Sequence, residues 1–165
     1  MKKTMMAALA AMFVLGGVSA VQAADAETVT EAELQEIAKM DVESAEPKLF
    51  PWLRVEDHRR ALRMNGRVIA WTSYPEIVVI GDDYPVLQHA LRDWSDEQKR
   101  RSEDETENME NAVRAFVPSE PFYDSVVVDH WGRVDEQVVS FALSSGTYDG
   151  GTHPQHAITG VTLST

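Results

Sequence analysis

Cysteine is absent, which excludes a disulfide framework, a thiol nucleophile and a lipid anchor carried on an N-terminal cysteine. Basic residues are scarce: 15 Lys and Arg stand against 27 Asp and Glu, a formal charge of −12. Such a balance repels nucleic acid and anionic lipid headgroups and favours cationic partners. Much of the acid lies in 25–46 and 93–110, the pattern of solvated surface. No phosphate-binding loop and no dinucleotide fingerprint occur. Long apolar runs are missing too. The longest, Met5 to Ala20, is interrupted by Gly16-Gly17 and falls short of the roughly 20 residues that cross a bilayer.

That run has another reading. Lys2 and Lys3 form a basic head before it, and Val21-Gln22-Ala23 behind it offers small residues where a signal peptidase reads them. A signal peptide over 1–23, cleaved after Ala23, predicts a periplasmic or secreted protein with no membrane in its mature form. Without Lys2 and Lys3 the balance becomes 27 against 13, or −14. The mature chain of roughly 140 residues is one domain at most.

Residues 24–48 are acidic and poor in aromatics, and read as a flexible leader closed by Pro47 and Pro51. Within it, Thr30-Glu31-Ala32-Glu33 resembles a capping box, with Leu34, Ile37 and Ala38 behind it for a short, weakly docked helix. From Leu53 the pattern changes. Asn65-Gly66 accepts positive φ at both positions and sits between two arms, so it predicts a hairpin of 53–64 with 67–80. Gly81-Asp82-Asp83 supplies N-cap candidates and Pro85 a first-turn residue for a helix. Leu87, Leu91, Trp94 and Gln98 follow helical spacing, and Met109, Ala112, Val113 and Phe116 resume the face. Between them Lys99 to Asn108 carries no apolar anchor, so one long helix and a bent pair both fit. Pro118 and Pro121 end it.

Phe122 to Trp131 reads as a strand and Gly132 as a turn. Val134 to Leu143 is the next strand, Ser144 to Gly151 a turn-forming cluster, and Ile158 to Leu163 the last strand. The expected fold is α+β, an antiparallel sheet of hairpin plus meander packed against one long or bent helix. It occupies 49–165.

Catalytic chemistry is hard to place on this chain. Ser144-Ser145-Gly146 lacks the strand-to-helix setting of a nucleophile elbow. Asp135, Glu136 and Asp149 are acids without a visible pairing. His153 and His156 with Asp149 have the residue types of a metal site, but Pro154 stiffens the loop between them and no third histidine is near. No cofactor, metal or enzymatic activity is expected.

Two stretches carry a resemblance. Tyr84-Pro85-Val86-Leu87 with Ala90-Leu91, and Arg133-x-Asp135 with Val138, Val139 and Ser140, followed by Tyr148, Gly150-Gly151 and His153, resemble the PdaC-type domain of peptidoglycan deacetylases. Thr152 replaces the usual alanine of the Gly-Gly-Ala-His corner. Members of this group often continue into an RsiV-type module, and one branch comprises membrane anti-sigma factors that sense lysozyme. The resemblance spans 53–165 and implies an α+β, wall-facing binding or sensing module without established catalytic residues. It also implies a strand that runs on past Thr165, so the natural product is expected to be longer and this chain alone marginally stable.

The sequence therefore points to a non-enzymatic envelope module for peptidoglycan or another glycan. Tyr148, Asp149, Gly150, Gly151 and His153 are the expected ligand-binding corner, with backbone amides at the glycines and a ring for stacking. Alternatives are an inhibitor or sensor of a cationic lysozyme-like protein, resting on charge, and a wall-directed hydrolase using His153 with Asp149.

Overall fold

A computed structural model describes residues 25–28 and 43–164. The expected signal peptide and the capping-box helix at Thr30 lie outside them. The described residues form an antiparallel-dominated six-stranded sheet and one long helix, an α+β arrangement. The strands are β1 (Asp25–Thr28), β2 (Leu53–Met64), β3 (Arg67–Val79), β4 (Phe122–Val134), β5 (Val138–Tyr148) and β6 (Gln155–Ser164), in spatial order β1 to β6. Helix α1 (Pro85–Ala115) connects β3 to β4.

The β2–β3 hairpin is the expected one. Asn65 and Gly66 both take positive φ, 54° and 76°, the twist that suits a two-residue turn between antiparallel strands. Pro75 sits inside β3 without harm to this ladder. The Ile77 N–H points away from β2 and donates to Ser95 Oγ at 3.1 Å. Pro75, two residues earlier on the same strand, has the same orientation, so its missing N–H takes nothing from the pairing with β2.

The expected hairpin-plus-meander lacks the element that joins its two halves. β3 and β4 run parallel, paired only from Ala70↔Phe122 to Ser73↔Ser125. A parallel pair needs a long crossover, and α1 is that crossover. Beyond Ser73 and Ser125 the two strands diverge. Leu87 and Leu91 from the first turns of α1 enter one buried cluster with Ile77 and Val79 of β3, Val126 and Val128 of β4, and Phe141 of β5. Trp94 packs its edge on Phe141, with centroids 5.0 Å apart.

α1 is one continuous helix of 31 residues. Its buried stripe is Leu87, Leu91, Ser95, Ser102, Thr106, Met109 and Val113. The stretch without apolar anchors is therefore docked after all, by hydroxyls. Ser102 Oγ donates to Thr72 Oγ1 at 3.1 Å, and Thr106 Oγ1 donates to the Ser102 carbonyl at 2.7 Å. Thr72 Oγ1 then donates to Thr106 Oγ1 at 2.9 Å, so the Thr72 and Thr106 hydroxyls each both donate and accept. Other helix expectations are corrected. The N-cap is Tyr84, without a side-chain cap bond, so Asp82 and Asp83 do not fill that role. Phe116 ends the helix in an extended conformation and is 64 % exposed, so it leaves the core stripe.

The meander differs from expectation in its turns. Gly132 lies inside β4, where a Cβ would stand 2.7 Å from Ser140 Oγ on β5. It is an irregular, close-approach position and not a turn. The turn falls at Asp135, which interrupts the expected Val134–Leu143 strand. Asp135 Oδ1 accepts from the N–H groups of Gln137 (3.0 Å) and Val138 (2.9 Å), and Oδ2 from Arg133 Nε at 2.5 Å. Ser144 to Tyr148, expected as turn, completes β5 instead.

The expected leader contributes two pieces to the fold. β1 pairs antiparallel with β2, Asp25↔Arg63 to Thr28↔Arg60. The Glu43–Pro47 segment lies in the notch where β3 and β4 part. Ala45 N donates to the Val128 carbonyl at 2.7 Å, and Trp131 Nε1 to the Ala45 carbonyl at 2.7 Å. Ser44 ties both halves together: its N–H and hydroxyl donate to Asp57 of β2 at 2.8 and 2.5 Å, and its Oγ accepts from the Val128 N–H at 3.0 Å. Ser44→Ala strands that N–H. A loss of about 1–3 kcal/mol is expected, read as a lower denaturant midpoint with unchanged slope.

Candidate functional site: a cleft on the open face of the sheet

Strand alternation gives β4 two different faces. Phe122, Asp124, Val126 and Val128 turn toward α1 and the core, while Tyr123, Ser125 and Val127 turn the other way. Register extends that second face sideways in rows. Trp71 lies beside Tyr123 and Tyr123 beside Tyr148. Ser73, Ser125, Gly146 and His156 form the next row, and Val127, Ser144 and Ile158 the one after. The rows floor a cleft of about 800 Å³, inside the roughly 300–1,000 Å³ span of small-molecule sites.

The aromatic row is the main feature of that floor. Trp71 and Tyr123 stack with centroids 5.2 Å apart and planes 16° from parallel, and Tyr148 follows at 6.2 Å from Tyr123. Trp71 is only 3 % exposed, and its indole N–H has no hydrogen-bond acceptor among the described residues. Gly146 keeps the centre of the floor low. A Cβ there would approach the His156 ring to 3.2 Å and the Tyr123 ring to 3.4 Å.

Four separate segments build the walls. Glu43 and Ala45 come from the clasped leader, Glu120 and Pro121 from the α1–β4 connection, Asp129 from β4, and Thr152 and Pro154 from the β5–β6 turn. Arg67 fixes the connection that presents Glu120, because its Nη2 donates to the carbonyls of Pro118 (2.9 Å) and Ser119 (2.5 Å). Asp129 accepts from His130 Nδ1 at 2.8 Å when that ring nitrogen is protonated.

The expected Tyr148–His153 corner is divided by this geometry. Tyr148 ends the aromatic row inside the cleft. Asp149 lines a smaller groove beside α1, with Arg101, Asp124 and Gln155, which shares Tyr123 and Tyr148 with the cleft. Its Oδ1 accepts from the Gly151 N–H at 3.2 Å, a local turn bond. Gly150 takes φ +90°, and a Cβ there would meet Phe122 at 2.9 Å, which accounts for a glycine structurally. Gly151 and His153 are exposed and line neither hollow. Trp71, Tyr123, Ser125 and Gly146 are cleft residues that sequence reasoning placed in no site, and His156 was weighed there only as a metal ligand. The signal available was the alternation Tyr123-Ser125-Val127 against Ser144-Gly146-Tyr148.

Metal ligation has a different focus from the His153–His156 pair. Among the described residues the group able to converge on an ion is Glu56, His58 and Glu76, within 4.8 Å of one another. These side chains already have partners: His58 Nε2 lies 2.7 Å from Glu76 Oε2 with Tyr74 stacked on its ring, and Glu56 pairs with Arg54. The arrangement is an ion-pair network that offsets two glutamates placed directly opposite across β2 and β3.

The chain matches no family model, and no curated protein is significantly similar to it. Among the described residues no helix is long and apolar enough to cross a membrane.

One acid behind the cleft has a perturbed titration. Asp124 is 5 % exposed, and burial raises its pKa; Arg101 opposes the rise and Glu105 adds to it. A carboxyl whose folded pKa lies above its unfolded value favours the fold fully below the unfolded pKa. That contribution is lost as pH rises through the folded pKa. Asp124→Asn should therefore melt higher than wild type at neutral pH, with the gap closing in acid below the unfolded carboxyl pKa. Melting curves across that pH range check it, and a variant less stable at neutral pH would contradict it.

Proposed function

We propose that this protein is a non-catalytic, extracytoplasmic binding module whose open-face cleft takes a glycan of the cell wall. The observation that carries the reading is the row Trp71–Tyr123–Tyr148 flooring a cleft of about 800 Å³. The half-buried Tyr123 and Tyr148 rings receive the apolar C–H face of a sugar, with the buried Trp71 stacked behind Tyr123, while hydroxyls and carboxylates around them receive its hydroxyl groups. Ser144 and the rim acids supply that second set; the Ser125 hydroxyl is held by Ser73 at 3.0 Å. The resemblance to the PdaC-type domain and the signal-peptide pattern support a wall-facing address. On this reading Tyr148 binds through the cleft, and Asp149, Gly150, Gly151 and His153 shape the turn that carries Thr152 and Pro154 to its wall.

A cationic wall-active protein is the second reading, favoured by the same acidic rim and the net charge of −12. Opposite charge speeds such an encounter, and salt weakens it. Titration against a basic lysozyme at low and moderate salt tests it, and absence of a complex at low salt ends it.

Retention on purified peptidoglycan tests the glycan reading. Wild type and Gly151→Val are expected to be retained alike, because position 151 is outside the cleft. Gly146→Val fills the floor and is expected to lose at least about tenfold in affinity, roughly 1.4 kcal/mol. Circular dichroism melts confirm that both variants are folded. Equal retention of folded wild type and Gly146→Val would overturn the cleft. Loss in Gly151→Val alone would return the site to the corner.

A further inference from the structure

The groove between α1 and the sheet has a volume of about 420 Å³. Register sets Thr72, Asp124, Thr147 and Gln155 in one row from β3 to β6, and the last three of them line this groove. A crossover between parallel strands must run back against them, so α1 descends past this row in the opposite direction to β4. Met109 and Ala112 therefore stand beside Phe122 at one end of the groove, where Met109 and Phe122 share a buried cluster. Arg101 stands near Asp124 at the other.

Asp124 is the group that the fold leaves unanswered. It is only 5 % exposed and accepts no hydrogen bond among the described residues. Its oxygens are not sealed in as the Trp71 nitrogen is, and they open on the groove. Buried carboxyls in folded proteins are nearly always bonded or paired. Arg101 is near enough to act on this charge but closes no ion pair with it, whereas its neighbour Arg100 pairs with both Glu97 and Asp104. Two opposite charges thus border one hollow without meeting. Glu105 and Asp149 add negative charge at its rim, held by hydrogen bonds from Asn108 Nδ2 and the Gly151 N–H, each at 3.2 Å.

We infer that this groove is a second binding site, for an α-amino acid with an apolar side chain. The ligand ammonium donates to Asp124, its carboxylate accepts from Arg101, and its side chain lies against Met109, Ala112 and Phe122. An α-amino acid carries its two charges on one carbon, which suits a pair of protein charges close enough to feel each other. A simple cation would leave Arg101 unmet, and a simple anion would be repelled by Glu105 and Asp149. Burial of Asp124 without a partner weakens the free fold at neutral pH, and a destabilised group of this kind is what a binding site retains. Tyr123 and Tyr148 border both hollows, but the groove's charged groups are not those of the cleft and the site does not depend on the glycan reading.

Titration calorimetry on the full chain, at neutral pH and low salt, compares leucine with leucinamide, which lacks the carboxylate, and N-acetylleucine, which lacks the ammonium. Charge-assisted hydrogen bonds are about twice as strong as neutral ones, so leucine is expected to bind at least about tenfold tighter than either. Asp124→Asn, whose fold is expected to be the more stable at neutral pH, should bind leucine at least about tenfold more weakly. That combination separates lost binding from lost folding. Arg101→Gln should no longer distinguish leucine from leucinamide. Lys99→Gln removes a positive charge from the same stretch of helix but lines neither hollow, and it should bind leucine as wild type does. Leucinamide binding to wild type as tightly as leucine would reduce the groove to a cation site and overturn the inference. Equally tight N-acetylleucine, equal leucine affinity in wild type and Asp124→Asn, or no leucine binding at all would overturn it too. A loss in Lys99→Gln matching that in Arg101→Gln would do the same, by showing bulk charge in place of a site. The glycan cleft survives each of these results, because peptidoglycan retention and Gly146→Val test it separately.

Discussion

The structure depends on the point where β3 and β4 stop pairing. Their parallel ladder spans only Ala70–Ser73 and Phe122–Ser125, and it joins two otherwise antiparallel halves. Past it the strands separate, leaving backbone groups and apolar side chains that must be covered. Two pieces of chain do this from different directions. The N-terminal half of α1 inserts Leu87 and Leu91 and offers Ser95 to the Ile77 N–H, and the Glu43–Pro47 segment bonds to Val128 and Trp131. Ser44, between Asp57 and Val128, locks that segment to both halves at once. The cleft is a consequence of the same junction. It forms where the short ladder brings Trp71 beside Tyr123, and its wall includes the clasped leader.

Much of the fold was legible because some residues leave few choices. Asn65-Gly66 specifies a tight hairpin, and Leu87, Leu91, Met109 and Val113 specify a helical face. What could not be read was carried by residues whose type does not declare their role. Ser95, Ser102 and Thr106 continue the core stripe of α1, but hydrophobic periodicity counts them as polar. Their burial is possible only because Thr72, on another element, completes the hydroxyl circuit. Gly132 looks like a turn residue; here it is the place where β4 passes too close to Ser140 for a side chain. Asp135, an acid without a visible pairing in the sequence, holds the turn by accepting from Arg133 and from two backbone N–H groups, which together lower its pKa.

The site was less legible than the fold, for a related reason. Glycines and a histidine next to each other attract notice in sequence, and Gly150 does have a special conformation. Its φ of +90° and the tight approach to Phe122 show what the glycine is for in this turn. The cleft, by contrast, is assembled across strands. Trp71 and Tyr123 are 52 positions apart, like Ser73 and Ser125, whose hydroxyls bond, and only the parallel register brings them together. Crossover connections hide this sort of proximity, because no local pattern encodes where the second strand will land. Alternation within β4 was the one accessible clue, since Tyr123 and Ser125 occupy positions that a strand buried on both faces would fill with aliphatics.

The same alternation explains why the face can stay open. A sheet face without a helix must either be apolar and covered or polar enough for water. Here the rows grade across the sheet from aromatic to hydroxyl and glycine, and the charge stands at the edges rather than on the floor. A floor of Val and Ile would have required a second helix. A floor of Lys and Glu would have filled the hollow with long side chains. Ser125, Ser144 and Gly146 do neither, being small enough to leave volume. β6 extends this surface with Ile158 at 72 % exposure and with no charged residue from Gln155 to Ser164. The acidity of the chain is therefore kept off this edge strand, while Glu43, Glu120 and Asp129 stand at the margins of the cleft with no Lys or Arg among its lining residues.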